Sequence, residues 1–312
     1  MATQPELNTD SQKISYNLWF DSQGEEAANF YTSIFKDSKI GKIIRYGKEG
    51  QEIHGKPDGA VMTVPFTLEG QKFIALNGGP HFKINPSISF FVHRETKKEI
   101  DDLWEALTKD GQILMPLQEY PFSEHYGWVQ DKYGVSWQLI LPGRDGDWRP
   151  SIVPSMLFVG SQCGKAEEAL RFYQKVFKNS KVGNIARYGE EQAPNEKETV
   201  MYADFAIENQ WFAAMDSAYE HDFQFNEAVS FIINCDTQEE VDDYWEKLSA
   251  VPSAEQCGWL KDKYGVSWQI VPKVLPKLLG NPDPKKSQAT MKAMLQMKKL
   301  DISALEKAYE GY

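Results

Sequence analysis

The sequence predicts an α+β protein of mixed sheets, and three observations carry that prediction. First, Gly127-Trp-Val-Gln-Asp-Lys-Tyr-Gly-Val-Ser-Trp-Gln138 returns as Gly258-Trp-Leu-Lys-Asp-Lys-Tyr-Gly-Val-Ser-Trp-Gln269, with ten of the twelve positions identical. Second, earlier segments repeat in the same order: Glu25-Glu-Ala with Phe30-Tyr31 and Phe35 matches Glu167-Glu-Ala with Phe172-Tyr173 and Phe177, and Ser89-Phe90 matches Ser230-Phe231. Third, strand-like and helix-like spacing alternate as strand, helix, three strands, twice in each copy. The chain therefore divides into residues 11–142, residues 151–272 and a helical tail, residues 273–312. Gly143 to Pro150, rich in Gly, Asp and Pro, reads as the linker.

The first copy opens with Ile14 to Phe20, aromatic and branched enough for a strand. Glu25 to Phe35 places Ala27, Phe30, Tyr31, Ile34 and Phe35 at helical spacing. Strands are expected at Lys39–Tyr46, Ala60–Leu68 and Lys72–Leu76, the last two joined at Glu69-Gly70. A strand over Ile88–His93 leads into Thr96-Lys-Lys-Glu99, a capping box that Thr237-Gln-Glu-Glu240 repeats. The following helix packs through Ile100, Leu103, Trp104 and Leu107, and three short strands close the copy. In the tail, Asp283-Pro284 caps a helix with a stripe of Met291, Met294, Leu295 and Met297 that packs on its own protein, and Ser303 with Glu306 caps a last helix.

Charge and composition narrow the partners. A formal charge of −11 argues against nucleic acid, since phosphate binding needs a basic footprint. No apolar run reaches the ~18–20 residues of a membrane span, and Met1 to Asp10 lacks a signal-peptide pattern. Three cysteines without a CxxC pair suit a reducing, cytoplasmic setting better than a disulfide framework or a zinc site.

Paired strand-helix-three-strand units resemble the vicinal oxygen chelate superfamily, which includes glyoxalase I, bleomycin-resistance proteins and extradiol dioxygenases. More narrowly the chain is similar to the PhnB-like proteins, often labelled 3-demethylubiquinone-9 3-methyltransferase domains. The residues carrying this are the two Glu-Glu-Ala helices, Leu76-Asn-Gly-Gly-Pro80, Asn85 with Ser89-Phe90, Ala214-Met-Asp216, Asn226 with Ser230-Phe231, and the duplicated Asp-Lys-Tyr-Gly-Val-Ser-Trp-Gln. The resemblance implies tandem vicinal-oxygen-chelate-like domains. Each would be two βαβββ units forming a curled mixed sheet with a cleft, followed by C-terminal helices, and the copies would pack as an intrachain pseudo-dimer.

In the metal-using relatives a closing-strand glutamate and strand histidines hold a divalent ion. The matching positions here are Gln138 and Gln269 for the glutamate and Ser87 and Ala228 for a histidine, so neither a resident metal nor any other cofactor is expected. His81 and His221, in corresponding turns beside Asn77 and Asp216, are the acid–base candidates. Trp137 and Gln138, like Trp268 and Gln269, face opposite sides of a strand, so one of each pair points into the cleft. Trp128, Trp259, Asn77, Asn85 and Asn226 complete the candidate lining, with Arg45 and Arg187 as candidate anion contacts. The reading is a small-molecule-binding protein with a polar or aromatic ligand. A metal-assisted lyase, isomerase or dioxygenase with unusual ligands, and an interaction module with vestigial clefts, are the alternatives. Methyl transfer is not expected, because no glycine-rich strand-to-helix turn is present to hold a methyl donor.

Overall fold

The elements follow the predicted order, and their pairing crosses between the copies. The computed structural model describes residues 12–49, 51–143 and 149–311; the first eleven residues, Gly50, most of the linker and Tyr312 lie outside these. The first copy holds β1 (Ile14–Phe20), α1 (Gly24–Ile34), β2 (Lys39–Ile40), β3 (Ile44–Arg45), α2 (Gln51–His54), β4 (Val61–Leu68), β5 (Gln71–Asn77), β6 (Ile88–His93), α3 (Lys97–Thr108), β7 (Gln112–Tyr120), β8 (Ser123–Gln130) and β9 (Ser136–Ile140). The second holds β10 (Ile152–Val159), α4 (Ala166–Val176), β11 (Lys181–Arg187), β12 (Val200–Ile207), β13 (Gln210–Ser217), β14 (Val229–Cys235), α5 (Gln238–Leu248), β15 (Trp259–Lys261) and β16 (Ser267–Pro272). The tail forms α6 (Leu275–Leu279), α7 (Pro284–Leu295) and α8 (Ile302–Glu310).

Two eight-stranded mixed sheets result. One runs β15-β16-β14-β1-β5-β4-β2, with β3 also on β4; the other runs β11-β12-β13-β10-β6-β9-β8-β7. Two compact units correspond to them: residues up to Phe82 with those from Glu227 onward, and the uninterrupted segment Lys83–Asn226. Each unit thus takes half of each sequence copy. The joints are antiparallel ladders, β1 on β14 and β10 on β6, with Asn17 opposite Ser230 and Ser155 opposite Ser89. The two copies are not separate beads on a linker, because they share both sheets.

Strict alternation explains which face is covered. Along β4, Met62, Val64, Phe66 and Leu68 are buried while the residues between them are half-exposed. In the first unit Tyr31 of α1 stacks on Phe66, with ring centroids 6.1 Å apart, which fixes the helix-covered face. Alternation and register then put Tyr16, Phe73, Phe231 and Trp268 on that face, and Asn17, Ser230, Ser267 and Gln269 on the opposite one.

The duplicated motif is a turn built around an aspartate. Asp131 Oδ1 accepts the Tyr133 and Val135 N–H groups at 2.9 and 3.0 Å, and Oδ2 accepts Trp137 Nε1 at 2.8 Å. Asp262 repeats this with Tyr264, Val266 and Trp268. Gly134 and Gly265, at φ +89 and +88, supply the left-handed step the turn requires.

The Thr96 and Thr237 caps form as expected, their hydroxyls accepting from Glu99 N and Glu240 N. The expected strand over Lys39–Tyr46 is broken into β2 and β3. The last helix begins at Ile302 under an Asp301 cap rather than at Ser303, because a carboxylate one turn earlier already accepts Ala304 N at 2.8 Å. The fourth unit has no counterpart of β7 among the described residues. A turn at Pro252–Ala254 replaces it, and the tail takes that edge: Cys257 N donates to Met297 O at 2.8 Å and Gly258 N to Lys298 O at 2.7 Å. Met294 and Met297 pack on Leu275, Leu278, Leu300 and Leu305, together with Val271 at the end of β16.

Replacing Asp262 by Ala strands three buried donors. An unpaired buried donor costs roughly 1–3 kcal/mol, so urea unfolding of Asp262→Ala should show a loss of about 3 kcal/mol or more.

Candidate ligand-binding face

The faces turned away from the helices hold the candidate site residues that are not structural anchors, and the two units treat them differently. In the second unit Gln138 is 1% exposed and its amide is fully engaged. Tyr126 Oη donates to Gln138 Oε1 at 2.6 Å, and Gln138 Nε2 donates to Ser89 Oγ at 2.8 Å. Burial pushes the Tyr126 phenol far up, so it stays a donor. Beside it Trp128 Nε1 donates to Ser136 Oγ at 2.7 Å. Phe91, Tyr126, Val153, Ala206, Trp211 and Ala213 pack over the rest of this face, so it is filled by its own side chains. At its margin Arg149 pairs with Asp204 at 2.9 Å and lies 3.6 Å over the Trp211 ring.

In the first unit the same positions lack those partners. Register makes Cys257 the counterpart of Tyr126, and Cys257 turns toward the tail, with Sγ 3.5 Å from Met294 O. Gln269 Nε2 still donates to its serine, Ser230 Oγ, at 3.0 Å, but no described residue donates to Gln269 Oε1. Ser267 Oγ, the counterpart of Ser136, is buried without a partner, as is Asn17 Nδ2. Asn17 is the Cα partner of Ser230, the β14–β16 register extended by one residue puts Ser267 beside Ser230, and Ser267 is in turn the Cα partner of Lys261 on β15, so these form a row across four strands. Asn17, Ser230 and Ser267 are 2%, 0% and 1% exposed. Trp259 stands opposite Gln269, and its ring meets Trp19 edge-on at 6.0 Å. At the end of the row Lys261 pairs with Glu227 at 2.9 Å.

The tail helps cover this face. Val271, two residues beyond Gln269 and on the same side, packs into the tail cluster. Lys42 Nζ donates to Gly280 O at 2.7 Å beyond β2, while Met297 O and Lys298 O hold the β15 end, so the tail reaches both edges of the sheet.

The other candidates take up structural positions. Trp137 and Trp268 are fully buried under the helices, held by their aspartates, so of each Trp-Gln pair it is the glutamine that faces the opposite side. Asn77 and Asp216 cap the first helix of each copy: Asn77 Oδ1 accepts Gly24 N at 2.8 Å, and Asp216 Oδ1 accepts Gly164 N and Ala166 N at 2.7 and 3.1 Å. The exchange of amide for carboxylate inverts one further bond, because Asn77 Nδ2 donates to Val61 O where Asp216 Oδ2 accepts Val200 N. Burial raises the Asp216 carboxyl against the lowering effect of these N–H groups. His81 is exposed, whereas His221 Nε2 lies 2.8 Å from Ser217 Oγ, its protonation lowered by burial. Asn85 Nδ2 donates to Gln224 O and Asn226 Nδ2 to Lys83 O, tying the two ends of the second unit together. Arg45 is exposed with its guanidinium on Gly59 O, and Arg187 pairs with Glu167 at 2.6 Å.

Asn17, Trp19, Ser230 and Ser267 are additions that sequence reasoning did not single out as site residues. For Asn17 and Trp19 the signal was the alternation in Ile14–Phe20, where Ser15, Asn17 and Trp19 take one side and Ile14, Tyr16, Leu18 and Phe20 the other; Ser230 and Ser267 stood within the repeated segments.

A divalent ion of the kind the superfamily resemblance implies does not fit these donors. The rows hold neutral amides and hydroxyls, Gln138 Oε1 is already taken, and Ser87 and Ala228 offer no imidazole. Among the described residues no group of three or more His, Cys, Asp or Glu gathers to hold a metal.

Comparison with known proteins agrees with the duplication. A family model described as 3-demethylubiquinone-9 3-methyltransferase matches twice, over residues 12–140 and 150–271. The chain is similar to a PhnB protein from Bacillus cereus, at 46% identity over 42% of this chain and 99% of that one, with a TM-score of 0.38. A Staphylococcus aureus protein is 38% identical over 42% and 97%, with a TM-score of 0.18. Glyoxalase I from Zea mays is 13% identical over 85% and 95%, with a TM-score of 0.46. No curated protein matches the chain. Among the described residues no helix is long and apolar enough to cross a membrane.

Two measurements follow. Gln138→Leu leaves Tyr126 Oη and Ser89 Oγ stranded and should cost about 1–3 kcal/mol in denaturant unfolding, whereas Gln269→Leu, with one partner, should cost less. In the second unit, burial pushes His93 down to about 4 while its Nδ1 donates to Pro150 O at 3.0 Å. A depressed folded pKa means the unfolded chain binds the proton first. Stability should therefore fall as pH drops from about 6.5 toward about 4, by up to roughly 3 kcal/mol, and level off below. His93→Gln should flatten that part of the stability–pH curve.

Proposed function

Because the chain belongs to the 3-demethylubiquinone-9 3-methyltransferase family, matched over both copies, we propose that it acts as a small-molecule-binding protein whose working site is the opposite face of the first unit's sheet. The observation that carries this is the asymmetry between two faces of common origin. Where the second unit engages Gln138 with Tyr126 and Ser136 with Trp128, leaving only Ser155 Oγ of its row unpaired, the first leaves Ser267 Oγ and Asn17 Nδ2 buried without partners, and Gln269 bonds only through Nε2 to Ser230. Each buried group left so costs roughly 1–3 kcal/mol, a cost that a bound molecule with matching groups removes.

The same face supports binding better than acid–base chemistry. Its row is neutral, its one charged pair is satisfied internally, and His221 and Asp216 belong to the other unit. Methyl transfer, the activity in the family's description, gains no support from the loops. The strand-to-helix connection after β1 is Asp21-Ser-Gln, without a glycine-rich cradle for a donor.

Thermal-shift screening of the full chain against a metabolite library tests the proposal, since a ligand raises apparent stability by mass action. Hits should be lost in Gln269→Leu and Asn17→Leu and kept in Gln138→Leu once its lower baseline is subtracted. Hits that depend on Gln138 and ignore Asn17 and Gln269 would place the working face in the other unit.

A further inference from the structure

We propose that the ligand of this face is uncharged and presents a hydrogen-bond acceptor and a donor side by side, as a primary or cyclic amide does, on a flat aromatic body. This deepens the binding proposal and rests on it.

The row fixes the polar chemistry. Asn17 and Ser230 are directly opposed on adjacent strands, and adjacent strands lie ~4.8 Å apart. Gln269 reaches the same serine, its Nε2 3.0 Å from Ser230 Oγ. Asn17 Nδ2, a buried donor without a partner, and the Gln269 amide, bonded through Nε2 alone so that Oε1 is left to accept, therefore flank one hydroxyl from two sides. A group that accepts from the first and donates to the second satisfies both at once. Ser267 Oγ, also unpartnered, adds a rotatable hydroxyl that meets either polarity.

The charge follows from what surrounds the row. An ion taken into a site this buried needs a counter-charge, and the cation at hand is Lys261, next in the row after Ser267. It is already matched: Glu227 sits 2.9 Å from its ammonium, and the two side chains are 22% and 20% exposed. The pairing is peculiar to this face, since Gln130 holds the corresponding place in the second unit and bonds to Gly134 O. An anionic ligand would have to displace Glu227, and a cationic one would find only neutral groups along the row.

The body follows from the walls. Trp259 is opposite Gln269 and Trp19 is two residues from Asn17 along β1, their rings 77° apart, and Phe82 meets Trp19 edge-on at 5.0 Å. Ring edges and faces set at right angles suit a flat aromatic group in offset or edge-on contact.

Benzamide and benzoate share size and shape and differ in charge, which makes them matched probes. Titrated into the full chain by calorimetry, benzamide should bind at least tenfold more tightly than benzoate. Glu227→Gln, which frees Lys261, should narrow or invert that preference, and Asn17→Leu should weaken benzamide at least tenfold. Gln269→Leu serves as the second site variant should Asn17→Leu fold poorly. Benzoate binding the wild type more tightly, with that binding lost in Asn17→Leu, would overturn the uncharged class and leave the binding face intact. If neither probe binds, or both bind regardless of Asn17 and Gln269, the face and the ligand class fall together.

Discussion

Everything in this chain hangs on two antiparallel ladders, β1 with β14 and β10 with β6. A single strand-helix-three-strand unit presents its first strand as an unpaired edge, and an unpaired edge left with its N–H and C=O groups unmet is a liability in any sheet. Pairing the four units' first strands two by two, β1 with β14 and β6 with β10, removes all four of these edges at once and makes two eight-stranded sheets. It also sets the chemistry, because the pairing that puts Asn17 opposite Ser230 brings a donor from one copy to an acceptor row from the other. A slip of one residue in β1 would turn Asn17 toward the helices and Tyr16 into the row.

Duplication then allowed the faces to part. The second unit keeps Tyr126, and one phenol saturates the glutamine, draws the strand beside it closed and lets aromatic side chains fill the remainder. With Cys257 at that position the first unit cannot close its glutamine. Among the described residues it also has no counterpart of the β7 edge strand, and the tail occupies that place with Met297 and Lys298. The tail is thus part of the sheet's edge and part of the cover over the row, which gives its methionines a packing role within the chain.

Much of the fold was legible because it rests on local pattern. Strict alternation in Val61–Leu68, helical spacing in Glu25–Phe35 and the threonine caps each dictate an element without reference to the rest of the chain. Which half pairs with which was not legible, since period-two alternation specifies a face and says nothing of the partner. The candidate site was half legible for a related reason. Comparing the copies draws attention to matching positions, and several of those proved to be scaffolding: Asp131 and Asp262 holding the tryptophans, and Asn77 and its counterpart Asp216 capping helices. The row itself is largely shared, Ser230, Ser267 and Gln269 matching Ser89, Ser136 and Gln138, but what leaves it unpaired lies where the copies differ, at Asn17 against Ser155 and Cys257 against Tyr126, and a search for sameness passes over that. Gln269 was found because its strand neighbour Trp268 is shared, although the amide itself matters for the partner it lacks.

The exchange of halves also changes what the chain is as an object. Lys83–Asn226 is one unbroken stretch, and its ends are held together by Asn226 Nδ2 on Lys83 O at 2.9 Å. Within it the usual order of the module is reversed, second half before first, so it is a circular permutant of its sibling. The sibling reads in the usual order once that stretch is set aside, running from Phe82 straight on to Glu227. A chain that looks in sequence like two beads in a row is, once folded, one module with a permuted copy of itself inserted at its midpoint. Adjacent ends are the geometry that makes such an insertion tolerable.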